Sequence, residues 1–249
     1  MSKIPVGLQM YTLRNETAVD FIGTFKKVAE IGYKGVELAG YGGLSAAELK
    51  ALLSELGMTA IGAHVGIDGI EGAEGEYLAE VGVKYAVIPY ISPDVFNDPA
   101  QRANLVSRII AVRNKMAKFG ITVLYHNHDF EFTKTAEGVY SLDALYSATT
   151  PDELKAELDL YWVKKGGEQP AEYIRKYAGR VPLVHCKDMD KTDESFAEVG
   201  EGSQDWDAIF AASEASGVEW YIVEQDSCKR PPIESVTISF NNLKKMGKI

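Results

Sequence analysis

Along the chain, a run of helix-forming residues repeatedly ends at a glycine, and one or two residues later a short apolar, β-branched or aromatic segment begins. This happens six times: AEIG-YKGVEL at Gly32, SELG-MTAIGAH at Gly57, AEVG-VKYAVIPY at Gly82, AKFG-ITVLYHNH at Gly120, KYAG-RVPLVHC at Gly179 and EASG-VEWYIVEQ at Gly217. Glycine at such a point reads as a left-handed C-cap, because the missing Cβ lets the backbone turn there and stop the helix just before a strand.

An opening strand and one near 154–159 that lacks the glycine bring the predicted strands to eight: β1 near 5–11, β2 near 35–39, β3 near 59–64, β4 near 85–90, β5 near 122–126, β6 near 154–159, β7 near 181–185 and β8 near 220–224. A helical segment follows each: Ala18–Ile31, Ser45–Leu56, Gly75–Val81, Pro99–Phe119, Ser141–Ser147, Pro170–Tyr177, Asp205–Ala215 and Ser235–Met246. Ser45, Asp98-Pro99 and Ser141 read as N-cap or first-turn signals. Eight βα units with no linker or low-complexity tract predict a single (β/α)8 barrel domain over residues 1–249. The competitor, a doubly wound open sheet, is weakened because the first strand leads into YTLRNET and not into a glycine-rich phosphate loop.

The chain has 249 residues, 46% hydrophobic and 25% charged, enough for one sizeable core. Thirty-six acidic against 26 basic residues give a net charge of −10, which disfavours nucleic-acid or anionic-membrane partners and favours small molecules. Cys186 and Cys228 make no disulfide framework or zinc pattern, the first residues lack signal-peptide character, and no apolar run reaches the roughly 18 residues of a membrane span. The expectation is a cytoplasmic protein. The stretch near 75–81 and the loop after β5 are candidate contacts for a homo-oligomer.

Catalytic residues of a barrel stand at the C-terminal ends of its strands. There the sequence puts Gln9, Glu37, His64, Pro89-Tyr90, His126-Asn127-His128, Glu157 and Asp159, His185 and Lys187, and Glu224 with Asp226. All four histidines of the chain are in this set. Strand alternation gives His126 and His128 one orientation, and likewise Glu157 with Asp159 and His185 with Lys187. Imidazoles and carboxylates converging from adjacent strands suit Mn, Zn, Co or Fe better than Ca, so one divalent metal ion is expected; the alternative is a metal-free mouth in which these groups pair with one another. Glu157, deeper in the barrel, needs a partner such as Lys155 or Lys187. Tyr11, Tyr90, Phe130, Phe132 and Trp162 can wall a sugar ring, and Cys186 faces the helices. Lys229-Arg230 reads as a solvated charge pair. No G-x-S-x-G elbow supports a serine hydrolase.

At GLQMYTLR, GVELAG, GAHVG, YHNHDFEF, ELD, VHCKDMD and YIVEQD, on successive strands, the chain resembles the xylose-isomerase-like barrel superfamily, which includes sugar phosphate isomerases/epimerases, ketose 3-epimerases, inosose dehydratases and metal-dependent apurinic endonucleases. The resemblance implies one metal held by His126, Asp159, His185 and Glu224. Many members read E-N-H on β5 where this chain has His126-Asn127-His128, which puts a symmetrical two-glutamate epimerisation in doubt. The implied activity is a metal-dependent isomerase or epimerase of a sugar derivative working through an enediolate. A lyase or dehydratase on a keto-sugar or inosose is the alternative, and a binding barrel without activity the third. An endonuclease is disfavoured by the charge. Glu224 is the first candidate base, with His64, His128 and Lys187 as alternatives; Gln9, Glu37, His64, Tyr90, Trp162 and Lys187 are the candidate carbohydrate-binding residues.

Overall fold

A computed structural model describes residues 3–249. Eight parallel strands close into a barrel in chain order: β1 (Val6–Gln9), β2 (Gly35–Leu38), β3 (Thr59–His64), β4 (Tyr85–Ile88), β5 (Thr122–His126), β6 (Lys155–Asp159), β7 (Leu183–Cys186) and β8 (Trp220–Val223), which pairs back onto β1. The (β/α)8 expectation is met. All six predicted cap glycines have positive φ, between 63° and 119°. Asp98 caps the helix Pro99–Ala117 by accepting from Ala100 and Gln101 N–H, and Ser45 forms a reciprocal capping box with Glu48.

Several local expectations need correction. The helix expected at 18–31 is two, Arg14–Val19 and Phe21–Ile31, because Asp20 leaves helical geometry and turns its carboxylate onto Gly23 N–H at 2.9 Å. Ser141 stands in the first turn of its helix, one of its two expected places; its hydroxyl donates to the Thr133 carbonyl. Short helices Ile67–Glu71 and Pro93–Asn97 fill loops above β3 and β4. After β7, Asp188–Met189 and Phe196–Ala197 form an antiparallel ribbon too short to leave any periodicity in the sequence.

The core has two parts. Most buried apolar residues, Cys186 among them, lie between barrel and helices. A separate cluster of Ile61, Tyr85, Val87, Leu124, Leu183 and Ile222 fills the barrel itself. Burial of aliphatic side chains like these contributes about 1.5–3 kcal/mol each. Gly7 and Gly35 make room for this layer, since a Cβ at either would come within 2.3 and 2.8 Å of the Ile61 side chain. The apolar layer closes the barrel below and forms the floor on which the polar residues stand.

Candidate active site

Inward-facing positions alternate along each strand, so the residues two beyond the apolar layer form the next storey: His126 above Leu124, His185 above Leu183, and Glu224 above Ile222. Gln9, Glu37 and Glu157 join them from β1, β2 and β6, and His64 from the end of β3. Glu157 Oε2 collects three imidazole nitrogens: His64 Nε2 at 2.8 Å, His126 Nδ1 at 2.9 Å and His185 Nε2 at 3.2 Å. Glu37 Oε2 takes His185 Nε2 at 2.8 Å and the Gln9 amide N–H at 2.7 Å. Glu157 therefore finds its partners in histidines, not in Lys155, whose ammonium donates to the Gly179 carbonyl, nor in Lys187.

Lys187 belongs to the storey above, as the alternation with His185 requires. Its fully buried ammonium lies 2.8 Å from Asp159 Oδ2, 2.8 Å from Glu224 Oε2 and 2.7 Å from Asp226 Oδ2. Asn127 locks Asp159 by bonding its backbone N–H at 3.0 Å, and Asp159 caps the next helix through Trp162 N–H. Above this storey opens a cavity of about 450 Å³ lined by Tyr11, His64, Tyr90, His126, His128, Glu224 and Asp226, with Ala39 and Pro89. His128 stacks on Phe130, 5.6 Å between ring centres.

The sequence-derived site residues thus meet at one end of the barrel, at different depths. His64, Tyr90, His126, His128 and Glu224 reach the cavity wall. Gln9 and Glu37 lie buried beneath it, and Lys187, His185 and Asp159 just behind it, so their reach to a ligand is indirect. Trp162 stands over the Lys187 ammonium, 5.5 Å from ring centre to nitrogen, and not on the wall. Phe132 packs against Tyr140 and Tyr173 and is not part of the mouth. Lys229 pairs with exposed or half-exposed acids, as expected, whereas Arg230 reaches buried Glu198 at 2.6 Å as well as half-exposed Glu201, so it is not simply a solvated charge. Two residues escaped the sequence reading. Asp226 had no role assigned, although its parity with Glu224 pointed at the mouth. Glu131, inside an aromatic loop, is fully buried, takes the Tyr125 hydroxyl and accepts His128 N–H at 2.8 Å.

The electrostatics sort these groups. Burial opposes charge on Lys187, but Asp159, Glu224 and Asp226 outweigh it and favour the ammonium. Burial likewise opposes ionisation of Glu224, but Lys187 and His185 hold its carboxyl well below the usual range. For His64, burial is outweighed by Glu37 and Glu157, which raise it. Burial, reinforced by Lys187, pushes His128 down to about 4, so it stands neutral. Burial raises Asp159 to about 6 against the pull of Lys187.

Glu131 yields a stability prediction. Burial raises its carboxyl to about 7 from an ordinary 4.5, so the folded chain binds the proton more tightly than the unfolded one between those values. The stability this proton provides is complete below pH 4.5 and is lost as pH rises through 7. Glu131→Gln removes the dependence: relative to wild type the variant gains as pH rises, by about 3 kcal/mol in total. Urea melts at pH 4.5, 6 and 8 check this, and parallel pH curves for the two proteins would contradict it.

Four donors from β5 to β8, in His126, Asp159, His185 and Glu224, lie within 4.8 Å of one another. Two imidazoles and two carboxylates are a donor set for a borderline divalent cation. Buried Asp159 Oδ2 has Lys187 nearby but accepts no well-aligned hydrogen bond. The set fits a metal, and in this structure the Lys187 ammonium provides the positive charge between its two carboxylates.

A parallel eight-stranded barrel with a carboxylate–imidazole mouth at its C-terminal end defines the class of protein. The chain belongs to the xylose isomerase-like TIM barrel family, whose profile matches residues 25–246. It is 23% identical over 188 residues to an inosose dehydratase of Geobacillus kaustophilus, covering 66% of this chain and 60% of that one. It is 27% identical over 135 residues to an inosose dehydratase of Clostridium perfringens, covering 46% and 44%. The chain thus spans about 60% or less of the length of these curated relatives. Among solved structures it resembles a sugar phosphate isomerase/epimerase from Parabacteroides distasonis, with TM-score 0.84, 22% identity and 100% and 96% of the two chains covered. A D-allulose 3-epimerase from Methylomonas follows the same fold with TM-score 0.73, 14% identity and 100% and 99% coverage. No helix among the described residues is long and apolar enough to cross a membrane.

Proposed function

We propose that the mouth is the active site of an enzyme that removes the proton beside the carbonyl of a keto-sugar or inosose and expels a hydroxyl as water. The carrying observation is that Glu224 and His64 face one cavity while their neighbours drive them to opposite charge states: Lys187 and His185 behind Glu224, Glu37 and Glu157 behind His64. Glu224, as the carboxylate, takes the C–H proton to give an enediolate. His64, as the imidazolium, delivers a proton to the departing hydroxyl oxygen, so the C–O bond breaks with loss of water. Tyr90 and Tyr11 offer apolar faces to the ring. A divalent ion such as Mn, Zn, Co or Fe held by His126, Asp159, His185 and Glu224 would supply Lewis-acid stabilisation of charge growing on the carbonyl oxygen. Its binding requires Lys187 to release Asp159 and Glu224.

The dehydratase relatives support elimination. A second reading, isomerase or epimerase, is supported by neutral His128 on the same wall, a second group able to exchange a proton with the substrate carbon. Both readings start with the same proton removal. The test is elemental analysis of protein purified without added metal, for wild type, His185→Ala and Glu224→Ala, followed by ²H uptake from D₂O into an inosose and a ketose. About one equivalent of metal in wild type, lost in His185→Ala, with ²H uptake and water loss from the inosose that Glu224→Ala abolishes, is the expected result. Uptake without water loss favours the isomerase, and no uptake with metal-loaded wild type rejects both.

A further inference from the structure

The storey beneath the mouth holds a donor set of its own. His64, His126, His185 and Glu157 offer four ligand atoms within 4.8 Å of one another. Around Glu157 Oε2 the three nitrogens stand at 2.8, 2.9 and 3.2 Å, close to the edges of about 2.9–3.4 Å that four- or six-coordinate polyhedra with metal–ligand bonds of about 2.0–2.1 Å possess. Two further atoms in this storey are unsatisfied: Glu157 Oε1 and Glu37 Oε1, on fully buried carboxylates, accept no hydrogen bond. Such buried carboxylate oxygens without a partner are open to a cation.

The deep set is not the mouth set displaced. It uses opposite ring nitrogens of the two shared histidines: His126 presents Nδ1 to Glu157 and Nε2 toward Asp159, and His185 presents Nε2 to Glu157 and Nδ1 to Glu224. His64 belongs only to the deep set, Asp159 and Glu224 only to the upper one. The positive charge of Lys187 already serves the upper carboxylates and has no contact with Glu157 or Glu37 within ion-pair distance among the described residues.

We propose that His64 Nε2, His126 Nδ1, His185 Nε2 and Glu157 Oε2 form a second transition-metal site, a resting site filled while Lys187 sits between Asp159 and Glu224, and that His64 is free to carry the proton of the proposed reaction only when this site is empty. Three imidazoles and one carboxylate select Zn²⁺, Co²⁺ or Fe²⁺ over Mg²⁺ and Ca²⁺. Glu37 is the outer group nearest to hand, bonded to His185 and held in turn by Gln9.

The test uses the full wild-type chain, crystallised and equilibrated with Zn²⁺, and an anomalous difference map recorded at the zinc edge. The expected peak lies about 2.0–2.1 Å from the three imidazole nitrogens and within bonding distance of Glu157, with Lys187 still against Asp159 and Glu224. A peak only between Asp159 and Glu224, with Lys187 displaced, overturns the deep site while leaving the proposed reaction intact; no peak at either position overturns it as well, the deep storey then being a hydrogen-bonded network. In solution, Zn²⁺ competition titration separates the two sets. His64→Asn is expected to weaken binding by more than the roughly 10- to 100-fold that loss of an outer-shell partner costs, and Asp159→Asn to leave it unchanged. The reverse order overturns the proposal.

Discussion

In the proposed elimination, Glu224→Gln is expected to lower kcat for water loss by about 10³-fold or more, with little change in KM. The substitution keeps the shape of the side chain and its place on the cavity wall, but an amide cannot accept the carbon-bound proton, and acid–base groups in such positions contribute about 10²- to 10⁴-fold. The two donors behind Glu224, Lys187 Nζ at 2.8 Å and His185 Nδ1 at 2.9 Å, both meet the same oxygen, so a glutamine satisfies them with its carbonyl and turns its NH₂ to the cavity. The fold survives and the reaction does not. Steady-state kinetics on the purified variant decide the matter; a kcat within tenfold of wild type would remove Glu224 as the base and pass the role to His128.

Asp188→Ala costs about 4 kcal/mol of stability or more. Asp188 follows Lys187 and gathers a loop that would otherwise have no regular structure. Its Oδ1 accepts from Met189 N–H at 2.8 Å and Gln204 N–H at 3.0 Å, and its Oδ2 from Gly200 N–H at 2.9 Å, Gly202 N–H at 3.1 Å and Trp206 Nε1–H at 2.8 Å. Gly202 has no Cβ because one would fall within 2.4 Å of the Asp188 carboxyl group. Removing the acceptor strands five donors, and each that stays dry costs about 1–3 kcal/mol. Asparagine gives little rescue, since its NH₂ would face two or three N–H groups. Chemical denaturation of wild type, Asp188→Ala and Asp188→Asn checks both statements, and a loss below about 1 kcal/mol in the alanine variant would show that the loop is held by other contacts.

What the sequence carried was local. Glycine caps and two-residue alternation depend on neighbours within a few positions, so the eight strands, their inward faces and the pairing of His126 with His128 or His185 with Lys187 in depth could be read from the chain. What it did not carry was partnership across the barrel. Glu157 is satisfied by imidazoles from β3, β5 and β7, residues 93, 31 and 28 positions away, a meeting that depends on how far each strand is staggered against the next. A lysine was the obvious guess for its partner, yet Lys187 rises one storey higher to Asp159, Glu224 and Asp226. Glu131 was hidden because FEF reads as an aromatic loop, and only the 3₁₀ turn Phe130–Phe132 tucks its carboxylate inward beneath His128. The Asp20 break shows the same limit at short range, an N-cap inside what composition alone presents as continuous helix.

The apolar layer of Ile61, Tyr85, Val87, Leu124, Leu183 and Ile222 makes the barrel a vessel with one opening. Whatever enters past Tyr90 and Tyr11 meets this layer as its floor, so among the described residues the way out is the way in. For the proposed reaction, traffic is therefore sequential: a product molecule that lingers blocks the next arrival, and a product added from outside competes with substrate for the empty mouth.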